Sequence, residues 1–276
     1  HKIDNGIDTG DILFQKKINI KNLNCEELYN LYTKEGLLLL IENFDKVLKN
    51  KFQLKRQQLE NSTYFSKKSI DYSNIKINLN KTASQIKNQL LAFTFPFKQI
   101  PTIFDKKIIK SEILNKKSKG RVGEVIVEDE FYQIINTIDY NLKIHFYKND
   151  EILFYAMKGD VNKIKLFAEK YHNIYEKNKK GWDALIVAAF NGHFELVKYL
   201  IEILNWDVNT SNINGTTLLM YTYSYSILNN NFDIFNYVIK LDNINILQRD
   251  YYGKDIFDYA NEENNSKILE ILQNHK

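Results

Sequence analysis

The feature that most constrains this chain lies in its second half, where a short pattern returns at near-constant spacing. Gly181-Trp182-Asp183-Ala184-Leu185 comes back as Gly215-Thr216-Thr217-Leu218-Leu219, 34 residues on, and as Gly253-Lys254-Asp255-Ile256-Phe257, 38 further. Behind the first of these follow Ala188-Ala189, Asn191-Gly192-His193, Leu196-Val197 and Leu200-Ile201, apolar pairs on either side of a polar turn. Asp258 and Ala260 reappear in the last copy, and Ala156, Gly159-Asp160 and Leu166 make an earlier partial one. A helix pair this short cannot bury its apolar face alone, whereas stacked pairs bury a continuous core. Residues 150–276 are therefore read as an all-α stack of four helix pairs, the outer two capping it. Extra residues around Ser224 to Asn231 should lengthen the third copy's first helix or its inter-helix turn.

This pattern resembles the ankyrin repeat, whose period is about 33 residues. Trp182 falls at the variable position of the repeat's turn, where side chains point away from the repeat core. Two readings of it stand: stacking on a nucleotide base, or packing against the strand-rich region that precedes the repeats. Trp206, before Asp207-Val208-Asn209, reads as structural. His193, at the Gly-His position of the turn, reads as a turn-stabilising hydrogen bonder.

The first half is patterned differently. Ile12 to Ile20 is strand-like, and two helical patterns follow, Glu26 to Tyr32 and Lys34 to Leu48. The second should bury Leu37, Leu40, Ile41, Phe44, Val47 and Leu48 on one face. Gln53 to Asn80 reads as irregular. Thr82 with Gln85 is a capping-box start, opening a helix that buries Ile86, Leu90 and Phe93 and ends before Pro96. Residues 98–149 read as a small antiparallel β region: Ile108 to Ile113, Gly123 to Val127, Tyr132 to Ile138 and Leu142 to Tyr147, with a hairpin at Asp139-Tyr140-Asn141.

Composition excludes several functions. A net charge of +4 over 276 residues gives no concentrated basic face for nucleic acid. The Lys-rich stretch Lys106 to Arg121 is interrupted by acidic and apolar residues and reads as a solvated strand and loop. The single cysteine, Cys25, cannot form an internal disulfide and fits a reducing cytoplasm. No apolar run approaches the length of a membrane span; Leu37 to Ile41 is only five residues. His145, His172, His193 and His275 have no metal-ligand spacing. The chain opens at His1 without Met, so the natural start is expected upstream.

The chemistry concentrates in Asp4-Asn5-Gly6-Ile7-Asp8-Thr9-Gly10-Asp11. Its glycines permit a tight turn and close approach of backbone to a ligand. Its carboxylates could bind a metal, orient a base, or satisfy turn amides. A calcium loop is excluded because Gln15 stands where its bidentate Glu would be.

This run, continued as Ile12-Leu13, resembles the signature of the formyltransferase superfamily. The resemblance implies that residues 1–97 are the end of a Rossmann-like α/β catalytic domain, so the whole chain is α+β. It makes Asp8 the catalytic aspartate and assigns Asp4, Asn5, Gly6, Ile7 and Asp8 to the pterin pocket of 10-formyltetrahydrofolate, with no metal. Asp4 and Asp11 would bond the turn's backbone, Asp11 with a further option of touching folate. The family's Asn-x-His lies upstream and is absent from these residues; His1 is too close to Asp8 to be its histidine. Alone, the chain is expected to be inactive.

Leu90-Leu91-Ala92-Phe93-Thr94-Phe95-Pro96-Phe97-Lys98 resembles the R-A-F-x-F-P block of the sugar-nucleotide branch, with Leu91 in place of Arg. Phe93, Phe95, Phe97 and Lys98 are then substrate-binding candidates, beside Trp182, and Tyr64-Phe65 resembles an aromatic pair of that branch. Gly120 to Val127 resembles the following P-G block, with Val122 for Pro, and Thr137-Ile138-Asp139 a T-x-D-G turn, with Tyr140 for Gly. Ankyrin repeats behind such a domain imply formyl transfer to a dTDP-linked 3-amino-3,6-dideoxyhexose for O-antigen or another surface polysaccharide, in a cytoplasmic homodimer without nucleic-acid or membrane partners. A second nucleotide-sugar site on the repeats goes with the first reading of Trp182. The alternatives are a methionyl-tRNA formyltransferase relative, which should carry a basic C-terminal barrel, and a non-enzymatic ankyrin adaptor.

Overall fold

A computed structural model describes residues 1–58, 63, 65–66, 69–72, 75–95, 99–171 and 173–275. They form two compact units, His1–Tyr147 and Lys148–Lys276.

In the first unit a polar turn leads into an extended stretch and then helix α1 (Cys25–Leu48). Asn24 and Glu27 cap α1 reciprocally, which starts the helix at the free Cys25. The two helical patterns thus merge into one. Thr33 between them does not break the helix, because its hydroxyl bonds back to the Tyr29 carbonyl. The strand expected over Ile12 to Ile20 reduces to one antiparallel bridge, Ile12 with Lys55. Among the described residues no strand pairs with the rest of that stretch. Phe14 instead meets Phe52 edge-on, and Lys16 pairs with Glu35 on α1.

The face of α1 that turns inward is also not the expected one. Leu28, Leu31, Glu35, Leu39, Asn43 and Val47 are half-buried or buried, while Leu37, Leu40, Ile41, Phe44 and Leu48 are exposed. Apolar residues occupy both stripes, so periodicity alone could not choose between them.

Helix α2 (Ala83–Phe93) begins at the Thr82–Gln85 capping box, as expected, and ends before Pro96. Phe93 is only half-buried; Thr94 is the buried residue at this end. α2 lies on a five-stranded antiparallel sheet of β1 (Thr102–Ile103), β2 (Lys106–Lys117), β3 (Val125–Glu128), β4 (Tyr132–Ile135) and β5 (Tyr140–Phe146), in the order β1-β2-β5-β4-β3. Period-two alternation sends Leu142, Ile144 and Phe146 of β5 inward against Ile86 and Leu90, with Ile108 and Ile135 beside them. The expected hairpin is the β4–β5 pairing, with Ile135 opposite Leu142. Its turn is tied to the helix, since Asp139 Oδ1 accepts the Ala83 amide at 2.8 Å. That bond, with the Tyr140 amide and Thr137 hydroxyl, holds the Asp139 carboxyl below its ordinary range.

The second unit is four helix pairs: α3 (Asn149–Lys158) with α4 (Val161–Lys170), α5 (Ala184–Phe190) with α6 (Phe194–Lys198), α7 (Leu218–Asn229) with α8 (Asp233–Val238), and α9 (Ile256–Glu262) with α10 (Ser266–Gln273). α6 runs on as a π-helical turn, Tyr199–Ile203. The insertion in the third copy lengthens its first helix, α7, which has 12 residues against 7 in α5. Gly181, with φ 75, makes the repeat turn that an L side chain would strain.

Hydrogen bonds tie successive pairs. His193 Nε2 meets the Met157 carbonyl at 2.7 Å, Tyr237 donates to Glu202, and Tyr223 donates to Glu263. Burial, with Glu202 beside it, pushes Tyr237 up to about 12; burial and Glu263 push Tyr223 up as well. Trp206 is buried against Tyr175, the structural role expected of it. Among the described residues no helix is long and apolar enough to cross a membrane.

Asp183 does most at one position. Its buried carboxylate caps α5 at the Ile186 amide and accepts the Thr210 hydroxyl from the next turn at 2.6 Å. Asp183→Ala should cost about 2–4 kcal/mol, a lost cap plus a charge-assisted bond. Urea unfolding followed by circular dichroism reads this; a change within experimental scatter would contradict it.

Candidate active site on the N-terminal turn

The turn Asp4–Asp11 carries no apolar residue that faces inward, so hydrogen bonds alone give it a shape. Asp4 Oδ1 accepts the Gly6 amide at 3.0 Å and the Thr9 hydroxyl at 2.6 Å, closing a small loop. These two bonds, the hydroxyl's first, hold the Asp4 carboxyl below its ordinary range. Asp4 thus bonds the turn's backbone as expected; Asp11 joins through its carbonyl, which accepts the Lys2 amide at 2.9 Å. Gly10 is buried where these strands cross, and a Cβ there would stand 1.9 Å from the Lys2 carbonyl oxygen. Only glycine admits that approach.

A strap from far along the chain completes the arrangement. Lys55 and Ile12 exchange both backbone hydrogen bonds at 2.9 Å. Gln57 Nε2 donates to the Asp8 carbonyl at 2.8 Å and to the Gly10 carbonyl at 2.7 Å. Beside the turn is a hollow of ≈ 360 Å³. It is lined by Lys2, Ile3, Asp4, Thr9, Gly10, Asp11, Arg56 and Gln57. Its rim carries both acceptors and cations, the mixture that orients a polar heterocycle.

Asp8 sits at the outer edge of this arrangement. It has φ 56, in the left-handed region, and its side chain is 85% exposed, with His1 Nε2 3.5 Å from Oδ1. The carboxylate projects into solvent and is not among the residues lining the hollow. Asn5, Gly6 and Ile7 are exposed on the same arch.

The sugar-side candidates lie elsewhere. Phe93 is half-buried at the end of α2, and the Phe95 ring rests 5.7 Å from Tyr29 of α1. Phe97, Lys98, Pro96 and Tyr64 fall outside the described residues, while Phe65 is exposed. None of the described ones lines the hollow at the turn. In the repeat unit Trp182 is half-buried between Phe190 and Tyr221, at ring-centroid distances of 5.3 and 5.2 Å. Tyr221 accepts the Asn212 amide, and burial raises its phenol against the pull of Asn212 and Trp182. Both ring partners of Trp182 belong to the repeats themselves.

Sequence reasoning missed Arg56 and Gln57. They sit in a stretch with no periodicity, and nothing local marks Gln57 as the partner of Asp8 and Gly10, 49 and 47 positions earlier. Among the described residues no three His, Cys, Asp or Glu side chains converge as a metal set.

Residues 69–149 match the formyl transferase C-terminal domain, and residues 131–212 match ankyrin repeats in three copies. An N-formyltransferase from Helicobacter canadensis, solved with folinic acid and dTDP-3-aminofucose, is 38% identical over 52% of this chain and 53% of its own, with a TM-score of 0.46. WlaRD, a sugar 3N-formyl transferase solved with dTDP and 5-N-formyl-THF, is 39% identical over 53% of each chain, also with a TM-score of 0.46. This chain therefore spans about half the length of those two proteins. No curated protein matches it. The two family matches overlap at residues 131–149.

The Asp4 loop makes a pH prediction. A carboxyl held low by folding stabilises the loop above its unfolded-state value, and that contribution is lost as pH falls through the lower, folded value. Carbonyl-detected NMR should therefore find Asp4 titrating below ordinary aspartate, and Thr9→Val should bring it back up. An Asp4 titration indifferent to that substitution would mean the Thr9 hydroxyl does not hold it.

Proposed function

We propose that this chain is part of an enzyme that transfers a formyl group from 10-formyltetrahydrofolate to the amine of a dTDP-linked 3-amino-3,6-dideoxyhexose. The observation that carries the reading is the formyl transferase C-terminal domain at residues 69–149, preceded by the Asp4–Asp11 turn. The sugar branch rests on the Leu90–Lys98 block and on the ankyrin repeats that follow the domain. A cytoplasmic homodimer supplying O-antigen or another surface polysaccharide is the setting this chemistry suits.

The residues present fit a folate in one respect. A pterin offers an edge of amino and imide donors, and Asp4 and Asp11 of the turn are among the residues lining the hollow. Asp4, Asn5, Gly6, Ile7 and Asp8 are the proposed pterin contacts and Asp8 the proposed catalytic aspartate. The bound folate supplies the formyl carbon. The sugar amine adds to that carbon and loses a proton, the bond to the folate nitrogen breaks, and that nitrogen takes up a proton. The oxyanion formed on the way needs preorganised donors. The Asn and His that the resemblance puts upstream would supply a donor and a proton carrier. Asp8, as a carboxylate free of any strong internal partner, would orient that imidazole or a water and stabilise its charged form. An exposed carboxylate at the edge of a hollow suits a site completed by residues outside these.

Phe93, Phe95, Phe97 and Lys98 remain the proposed sugar-nucleotide contacts. Trp182, with Phe190 and Tyr221, offers an aromatic cluster on the repeats, open enough at Phe190 to stack on a base. We assign it the second nucleotide-sugar site.

Two experiments test these assignments. The full-length protein, given 10-formyltetrahydrofolate and a panel of dTDP-amino sugars, should release tetrahydrofolate with at least one of them. Asp8→Asn should lower kcat on the order of 100-fold or more. Turnover with charged initiator tRNA and with no sugar would replace the substrate class. Separately, Trp182→Ala should weaken the second of two dTDP binding events about tenfold by calorimetry, the worth of one stacked base. A single binding event, untouched by the substitution, would remove the repeat site.

A further inference from the structure

The N-terminal turn exposes a problem that its own residues do not solve. The Asp8 carboxylate is in solvent, and its one ionic neighbour among the described residues, His1, is 3.5 Å away. Nothing on the side chain fixes where it points, so the backbone must. Yet Asp8 is a non-glycine residue at φ 56. Such a conformation is tolerated by aspartate but holds only where the surroundings determine it.

The surroundings here reduce to one side chain. A primary amide has two N–H donors on a single nitrogen. Gln57 spends both, on the Asp8 carbonyl at 2.8 Å and on the Gly10 carbonyl at 2.7 Å. The two carbonyls flank Thr9, so one nitrogen spans the arch and fixes the peptide plane that leaves Asp8. The clamp has a firm base: Lys55, two residues earlier, is bridged to Ile12 by two backbone bonds of 2.9 Å. The inner side of the arch is held independently, by Asp4 on Gly6 and Thr9. Gln57 is thus the part of the arrangement that governs the outer edge, where Asp8 lies.

We infer that Gln57 is a positioning residue for formyl transfer, setting the backbone at Asp8 and through it the direction of the carboxylate. The inference rests on the reading of Asp8 given under the proposed function. Glutamate is the same size but, ionised, has only acceptors, and it would face two carbonyls it repels. Lysine keeps donors at a similar reach.

The test uses the full-length protein. Gln57→Glu should lower kcat about 10- to 100-fold, the scale of a misplaced catalytic group, while KM for the amino sugar stays within about threefold. Gln57→Lys should recover part of the loss. Hydrogen exchange should quicken at the amide of Lys2, bonded to the Asp11 carbonyl next to the clamped Gly10, and stay unchanged at Gly6, at Ile12 and in α2 and β5. Gln57→Met, which removes the donors without adding charge, replaces the first variant if that one does not fold. Unchanged exchange at Lys2 would overturn the clamp. Faster exchange with kcat intact would overturn the positioning role. A wild-type protein that formylates no amino sugar would instead overturn the reading of Asp8, and the positioning role with it.

Discussion

A turn of Asp, Asn, Gly and Thr whose single apolar residue, Ile7, faces solvent has no buried hydrophobic face, so burial cannot tell it where to go. In this chain the task falls to a strap at Lys55–Gln57 that reaches it by four hydrogen bonds, two from backbone and two from one amide. Each such bond contributes only about 1 kcal/mol net, because unfolded groups bond to water instead. Their worth here is directional. They select one conformation among many that a glycine-rich segment could take, and Gly10 lets the Lys2 carbonyl into the space that selection requires. The proposed chemistry is placed on the segment of the unit that owes least to packing and most to geometry.

The remainder of that unit follows the opposite logic. α2 and the sheet share a core of Ile86, Leu90, Ile108, Ile135, Leu142, Ile144 and Phe146, nearly all of it removed from water. At about 25 cal/mol per Å² of apolar surface, such a core needs no particular partner at any one position, only total volume and alternation. Polar bonds then serve to register it, as Asp139 does by accepting the amide that opens α2. The repeats combine the two: apolar faces stack the helix pairs, and bonds such as His193 to Met157 and Tyr237 to Glu202 fix how one pair sits on the next.

These differences decide what could be read from residues alone. The repeats were legible because glycine at positive φ, a capping residue two places on and apolar pairs at fixed offsets are all local requirements. The strands and the Thr82 cap were legible for the same reason. Ile12 to Ile20 was misread because a strand needs a neighbour, and apolar alternation does not say whether one exists. Gln57 was invisible because its meaning lies entirely in two carbonyls far from it in sequence. Of the candidate site, the turn could be anticipated from its glycines and carboxylates, whereas the exposure of Asp8 and the place of Arg56 and Gln57 in the lining of the hollow could not.

Helix α1 marks the boundary of what patterning can tell. Its sequence is apolar at Leu28, Leu31, Leu39 and Val47, which turn inward, and again at Leu37, Ile41, Phe44 and Leu48, which do not. Leu37, Ile41, Phe44 and Leu48 recur at offsets of four and three, as a helix does when one continuous stripe is meant to be covered. A stripe of that length in water is unfavourable at roughly 1.5–3 kcal/mol for each large side chain left uncovered. Selection that acted only on the contacts within this unit would have no reason to keep it. The stripe therefore has the composition of a buried surface, although within this unit Leu37, Ile41, Phe44 and Leu48 stay exposed.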